Sequence, residues 1–286
     1  MNNRHALISI FVSIGLAALV AWAGSQNGQS FRGIPTYAFC VGVAFLINWL
    51  AFIPANLLKT EKFYDLTGSI TYVTVTLIAL THIRDADNRS YLLAGLVILW
   101  AIRLGTFLFR RVLRDGGDDR FDKIKPVFIR FFNVWTLQAL WVSLTASAAL
   151  IAITSTNRKE LGIFAIVGTI VWIVGFVFEV VADYQKSQFK KDPANKGQFI
   201  NTGLWAKSRH PNYFGEIVLW IGIFIIAIPV LQGWQWIAIL SPLFVIVLLT
   251  KISGIPGLEA KANKRWGGQP DYEAYKANTP VLIPKL

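Results

Sequence analysis

The residues whose types and spacing best suit chemistry lie in one loop, KSQFKKDPANKGQFINTGLWAKSRHPNYFGEIVLW, which begins at Lys186. Arg209 and His210 precede Pro211 there. A proline pushes the residue before it to extended backbone and can itself open a helix. Asn212, Tyr213 and Glu216 then fall on the first turn, with Asn212 and Glu216 on one face. The plain reading is a capped helix start with Tyr213 as an interfacial anchor. The functional reading is a polar cluster at the entrance of an apolar helix. Upstream, Glu179 and Asp183 also share a helical face. An ionisable group inside a membrane helix costs roughly 2.5–3.5 kcal/mol. Glu179, flanked by apolar residues, therefore calls for a cavity or a partner, whereas Asp183 could simply pair with Lys186 or Lys190.

A second constellation is TEKFYDLTGSITYV, where Tyr64 and Asp65 stand together at a helix entrance. Asp65 could be an N-cap. A phenol beside a carboxylate could also donate a proton to a carbonyl oxygen. In LWAIRLGTFLFRRVLRDGGDDRFDKIK, Arg103, Arg110 and Arg111 fall near one helical face. Snorkelling accounts for Arg110 and Arg111, while Arg103 lies deep enough to need a partner. Trp135, Gln138 and Trp141 recur at three-residue spacing, which reads as packing. In the tail, Glu259, Arg265, Asp271, Tyr272 and Tyr275 form either a solvated cap or a lid over a cofactor. The lone cysteine, Cys40, excludes an internal disulfide and a cysteine-based metal cluster, and no metal site is expected.

The elements that must position these residues are membrane helices. The chain has 286 residues, 54% apolar and only 15% charged, where soluble domains carry about 25% charged. Runs near 6–24, 36–54, 66–82, 90–109, 133–153, 161–182, 212–231 and 234–252 approach the roughly 20 apolar residues that cross a bilayer. The expectation is an all-α polytopic transmembrane bundle of seven to eight spans, forming one domain over 1–286. Arg4 before the first run and Ala21-Trp22-Ala23 near its end resemble a signal peptide with its cleavage site, but the apolar stretch is long for one and favours a retained helix.

With eight crossings, 22 Lys and Arg lie on one side and five (Arg32, Arg84, Arg89, Arg158 and Lys159) on the other. The positive-inside rule puts the basic loops and both termini in the cytoplasm. Net charge is +12, which basic loops explain without nucleic acid. Membrane lipids and an anionic cofactor are the expected partners. The sequence does not indicate an oligomeric state.

Together these residues resemble the steroid 5-alpha-reductase superfamily, in particular its bacterial membrane branch. The resemblance runs from about residue 36 to the end, so that 1–30 is an added N-terminal helix. It rests on FYDLTGS, the Arg-rich segment 103–120, Glu179 through Lys190, SRHPNYFGE, and the tail from Ser253 through TPVLIP. It implies a bundle of seven or more helices, NADPH bound near the cytoplasmic face of the (bacterial inner) membrane, and reduction of a carbon–carbon double bond conjugated to a carbonyl in a lipophilic substrate. By resemblance Asp183, Lys190, Asn212 and Tyr213 contact the nucleotide. Arg209 and His210 match the motif's RHPN form, Glu216 its acidic residue, and Tyr64-Asp65 the Gln-Glu pair that holds the substrate carbonyl. Arg111, Glu179, Glu259 and Tyr275 complete the cofactor-binding expectation. There are departures. Leu108 stands where the steroid enzymes carry a carbonyl-donor tyrosine, and Glu179 where they carry a cofactor-contacting asparagine.

Two other readings compete. Isoprenylcysteine carboxyl methyltransferases, which bind S-adenosylmethionine, share an RHP-x-Y-x-G motif and a polar tail with Glu and paired Tyr. Asn212, FYDLTGS and the three basic loops favour the reductase. A transporter would show breaks in both halves, but a single Gly/Pro-rich break, 203–215, is visible.

Overall fold

The structure, a computed structural model, describes residues 2–285. It is all-α apart from one short hairpin, β1 (Ser30–Phe31) with β2 (Ile34–Pro35). Among the described residues six helices are long and apolar enough to cross a membrane, or seven if one bent pair counts as a span. Large apolar side chains face outward along them, including Phe11 at 71% and Leu57 at 75% exposure. Such outward faces suit lipid, with the backbone satisfied internally.

The chain, read above as one domain, groups into two compact units, 1–165 with 226–241, and 166–225 with 242–286. Unit 1 holds α1 (Asn3–Gly24), α2 (Thr36–Leu58), α3 (Tyr64–Thr81), α4 (Asn88–Asp115), α5 (Phe128–Thr145) and α6 (Ser147–Thr154). The Asn2 side chain caps α1, and the Asp87 side chain caps α4. The run expected at 66–82 is helical as α3, but it falls outside the membrane-crossing set. Its threonines dilute the apolar run and turn inward: Thr67, Thr71 and Thr76 are buried, and Asn48 donates to Thr71. The run expected at 133–153 is two helices meeting at 55° near Ala146. The bend loosens the helical ladder at Thr145, whose carbonyl accepts the Ser241 hydroxyl at 2.5 Å.

Unit 2 contains most of α7 (Ile163–Lys191) and α8 (Pro211–Ala227), with α9 (Leu240–Val247), α10 (Ile255–Trp266) and α11 (Pro270–Asn278). Proline opens α8 at the expected residue. Glycines let α7 and α8 pack backbone to backbone. A Cβ at Gly215 would lie 2.5 Å from the Glu179 nitrogen, and one at Gly175 2.4 Å from that of Leu219. Small residues at such crossings are how membrane helices gain close van der Waals contact. A π turn (Leu248–Ile252) joins α9 to the polar α10.

Candidate functional site

Unit 2 brings the loop of the sequence reading and the tail together. The Arg209 amide donates to the Pro280 carbonyl at 2.9 Å, and the Lys285 amide donates to Lys207 at 2.9 Å. The Ser208 hydroxyl donates to Leu282 at 2.7 Å. On this frame Glu259 of α10 grips two neighbouring side chains. Its Oε2 accepts from Arg209 Nη1 at 2.6 Å, and its Oε1 lies 2.8 Å from His210 Nε2. The His210 ring stacks on Tyr213 with 5.8 Å between centroids. Burial pushes the His210 imidazole below its usual range, the Glu259 carboxylate only partly offsetting this. A neutral ring whose Nε2–H donates to Glu259 leaves Nδ1 as an acceptor. That Nδ1 is buried and has no hydrogen-bond partner.

Tyr275 is tied in less directly. Its hydroxyl donates to the Trp205 carbonyl at 2.6 Å, and burial raises its phenol above the usual range. Trp205 is the residue that sequence reasoning missed. It is buried, its indole donates to Ala182 at 3.0 Å, and Lys186 lies 4.2 Å above its ring. The visible signal was a lone Trp in a polar loop. Glu179 and Asp183 are buried on α7, at 2% and 6% exposure. Asn212 and Glu216 are half-buried on the first turn of α8, and Lys190 and Lys207 are exposed. The Arg209 charge is already paired with Glu259, whereas Lys190 and Lys207, like Lys191 and Lys196, present exposed charge on the loop.

Unit 1 carries Tyr64, Asp65 and Arg111. Tyr64 packs edge-on against Phe121 and Trp135, and its hydroxyl donates to the Val134 carbonyl at 3.1 Å. The expected proton donor therefore already has an acceptor. Asp65, half-buried, lies in the field of Arg111 and Arg120. A second carboxylate that sequence reasoning passed over is Glu61. It is 5% exposed, accepts the Asp118 amide at 2.9 Å, and pairs with Lys125 at 2.6 Å. The backbone passes Glu61 so closely at Gly117 (φ 152°) that a Cβ there would lie 2.9 Å from its Oε1. Asp118 in turn binds Arg120. Burial alone would raise the Glu61 carboxyl, but Lys125 and the Asp118 amide hold it below its ordinary value. No cluster of three or more metal-ligating side chains occurs among the described residues.

A helical membrane protein with a polar cluster gathered by one late loop and its tail is the class these features define. Residues 51–279 match the family described as "Protein of unknown function (DUF1295)", and the chain belongs to that steroid 5-alpha-reductase-like membrane family. An uncharacterised protein of Schizosaccharomyces pombe is 28% identical over 167 residues, 49% of this chain and 48% of that one. A probable O-methyltransferase of Ustilaginoidea virens is 46% identical over 46 residues, 16% of each. The chain thus spans about half the length of the first relative and about a sixth of the second. No solved structure matches.

Proposed function

We propose that this protein is an NADPH-dependent membrane reductase acting on the conjugated carbon–carbon double bond of a lipophilic enone. The observation that carries the reading is the bonding of SRHPNY to Glu259 and the C-terminal tail within unit 2, the arrangement a nucleotide clamp needs. The unpartnered His210 Nδ1 is a buried acceptor fit for a ribose hydroxyl or carboxamide N–H. NADPH, when bound, supplies the hydride. Lys190 and Lys207 contribute positive charge for phosphates. Asp183, Asn212, Tyr213 and Glu216 orient the nucleotide, and Glu179, Glu259 and Tyr275 hold the elements that carry them. Apolar helices exclude water from the reacting end. On the substrate side, Tyr64 holds the proton for the developing enolate oxygen beside Asp65, exchanging its Val134 acceptor for the substrate. With α3 counted as a crossing, the basic loops and both termini share the cytoplasmic face.

The test is purified protein in detergent with NADPH, following nicotinamide absorbance across a panel of lipid enones. NADPH near 100 times its dissociation constant is expected to stabilise the fold by about 2.7 kcal/mol. Tyr64→Phe is expected to keep NADPH binding and lose about a hundredfold in turnover, within the usual range for a general acid. Equal turnover would leave Tyr64 a packing residue. A second reading, an S-adenosylmethionine-dependent methyltransferase, is favoured by the short match to a probable O-methyltransferase. Thermal stabilisation by S-adenosylmethionine and not NADPH would establish it and overturn the reductase.

A further inference from the structure

We infer that a cavity at the N-terminal end of α4 binds a phosphodiester anion at the membrane face opposite Arg111. The cavity measures about 460 Å³ and is lined by Asp87, Asn88, Arg89, Arg158, Lys159 and Glu160, all in unit 1. Arg89 is 2% exposed. Its Nη1 donates to Ile226 at 2.7 Å and its Nη2 to Glu160 at 2.8 Å, both backbone carbonyls. Its Nε has no partner. Arg158 donates from Nη1 to Ser90 and to the Ile153 carbonyl, while its Nε and Nη2 are buried without partners. Its contact with Asp87 is long, 3.7 Å.

The two lining guanidinium groups thus keep three unmet donor nitrogens, one on Arg89 and two on Arg158. The lining also holds one unmet acceptor, the Oδ2 of Asp87, whose Oδ1 caps α4 at 2.8 Å from the Ser90 amide. Buried guanidinium edges suit paired anionic oxygens, and the positive end of a 28-residue helix adds to them. The free carboxylate oxygen suits a hydroxyl on the same ligand. An ionised phosphodiester bearing hydroxyls, as in a phosphoglycerol headgroup, meets both demands.

Depth agrees with that choice. Arg89 and Arg111 lie on one apolar helix, separated by roughly 33 Å at 1.5 Å per residue. A hydrocarbon core is about 30 Å thick. Arg89 therefore sits at headgroup level on the far side. Three of the five basic residues that the sequence reading left on that side line this cavity. The site is independent of the reductase reading, since it shares no residue with the proposed nucleotide cluster.

Native mass spectrometry from micelles doped equally with phosphatidylglycerol and phosphatidylcholine tests it. One phosphatidylglycerol is expected to be retained about tenfold over phosphatidylcholine. Arg158→Gln with Lys159→Gln should abolish the preference. Glu160→Gln, at an exposed position, should strengthen it severalfold, which keeps the test decisive should the double variant fail to fold. A parallel arm compares melting in sodium phosphate and in sodium chloride at equal ionic strength. A phosphate-specific rise that Glu160→Gln enlarges, without lipid preference, would support the site with free phosphate as its ligand. Equal retention of the two lipids with no phosphate-specific rise overturns the proposal. So does any lipid preference or phosphate effect indifferent to Glu160→Gln.

Discussion

Glu61 and Glu259 are both carboxylates that grip two partners, yet the grips differ in kind. Glu61, in unit 1, holds a backbone amide and a lysine, Asp118 N and Lys125. Glu259, in unit 2, holds two side chains, Arg209 and His210. The first fastens a loop against a helix entrance and leaves no donor waiting. The second positions an imidazole whose other nitrogen is buried and unpartnered. The difference teaches where to look for a ligand. A satisfied buried network rigidifies, whereas unmet buried atoms, here His210 Nδ1 and Arg209 Nε, mark a surface built to be completed.

The largest effect is expected beneath the second grip. Gly215→Val would put a Cβ 2.5 Å from the Glu179 backbone nitrogen, and backbone cannot rotate out of the way. We expect a loss of about 3 kcal/mol or more, seen as loss of monodisperse protein on size exclusion in detergent. A well-folded variant would show that the α7–α8 approach is not what supports the cluster. Glu61→Gln ranks next. It removes one charge of a pair 5% exposed on the acid side and leaves Lys125 with only Asp122, at 3.2 Å. Breaking such a pair should cost about 2–3 kcal/mol, discounted from fully buried cases because Lys125 is partly exposed. Thermal unfolding measures this. NADPH binding at low temperature should be unchanged, because the Glu259 grip is untouched.

How far the sequence discloses this comparison depends on the distance over which each feature is built. Helix positions were legible because apolar runs and caps are local, and α8 starts at Pro211 as the X-Pro rule requires. The break at Ala146 was not, because SLTASAALIA contains neither proline nor glycine. The group donating to the loosened Thr145 carbonyl is the Ser241 hydroxyl, 96 residues on. Arg209 and His210 were legible as motif, but their occupation by Glu259, about 50 residues away, was not. Glu61 was not legible as a site residue, since its partners lie 57 and 64 residues downstream. Tyr64 shows the opposite failing. The residue pair suggested a donor, and the fold shows its hydroxyl already bonded to Val134.

The smallest effect is the most discriminating, because the two grips should fail in different pH windows. His210 has a folded value below its unfolded 6.5, depressed chiefly by burial, with Lys186 and Arg209 adding repulsion and Glu259 opposing. A depressed histidine favours the neutral form in the fold. Its contribution is therefore complete above about 6.5 and is lost as pH falls from there through the folded value. Glu61 has a folded value below its unfolded 4.5, so its contribution is complete above 4.5 and is lost only as pH falls through the lower folded value. Between pH 7 and 5 the unit 2 grip should weaken while the unit 1 grip holds. Amide hydrogen exchange, corrected for intrinsic rates, should quicken at 208–216 and stay constant at 117–125. His210→Gln, which cannot take up a proton, should erase the difference. Uniform quickening in both segments would mean that neither His210 nor Glu61 sets its region's pH response.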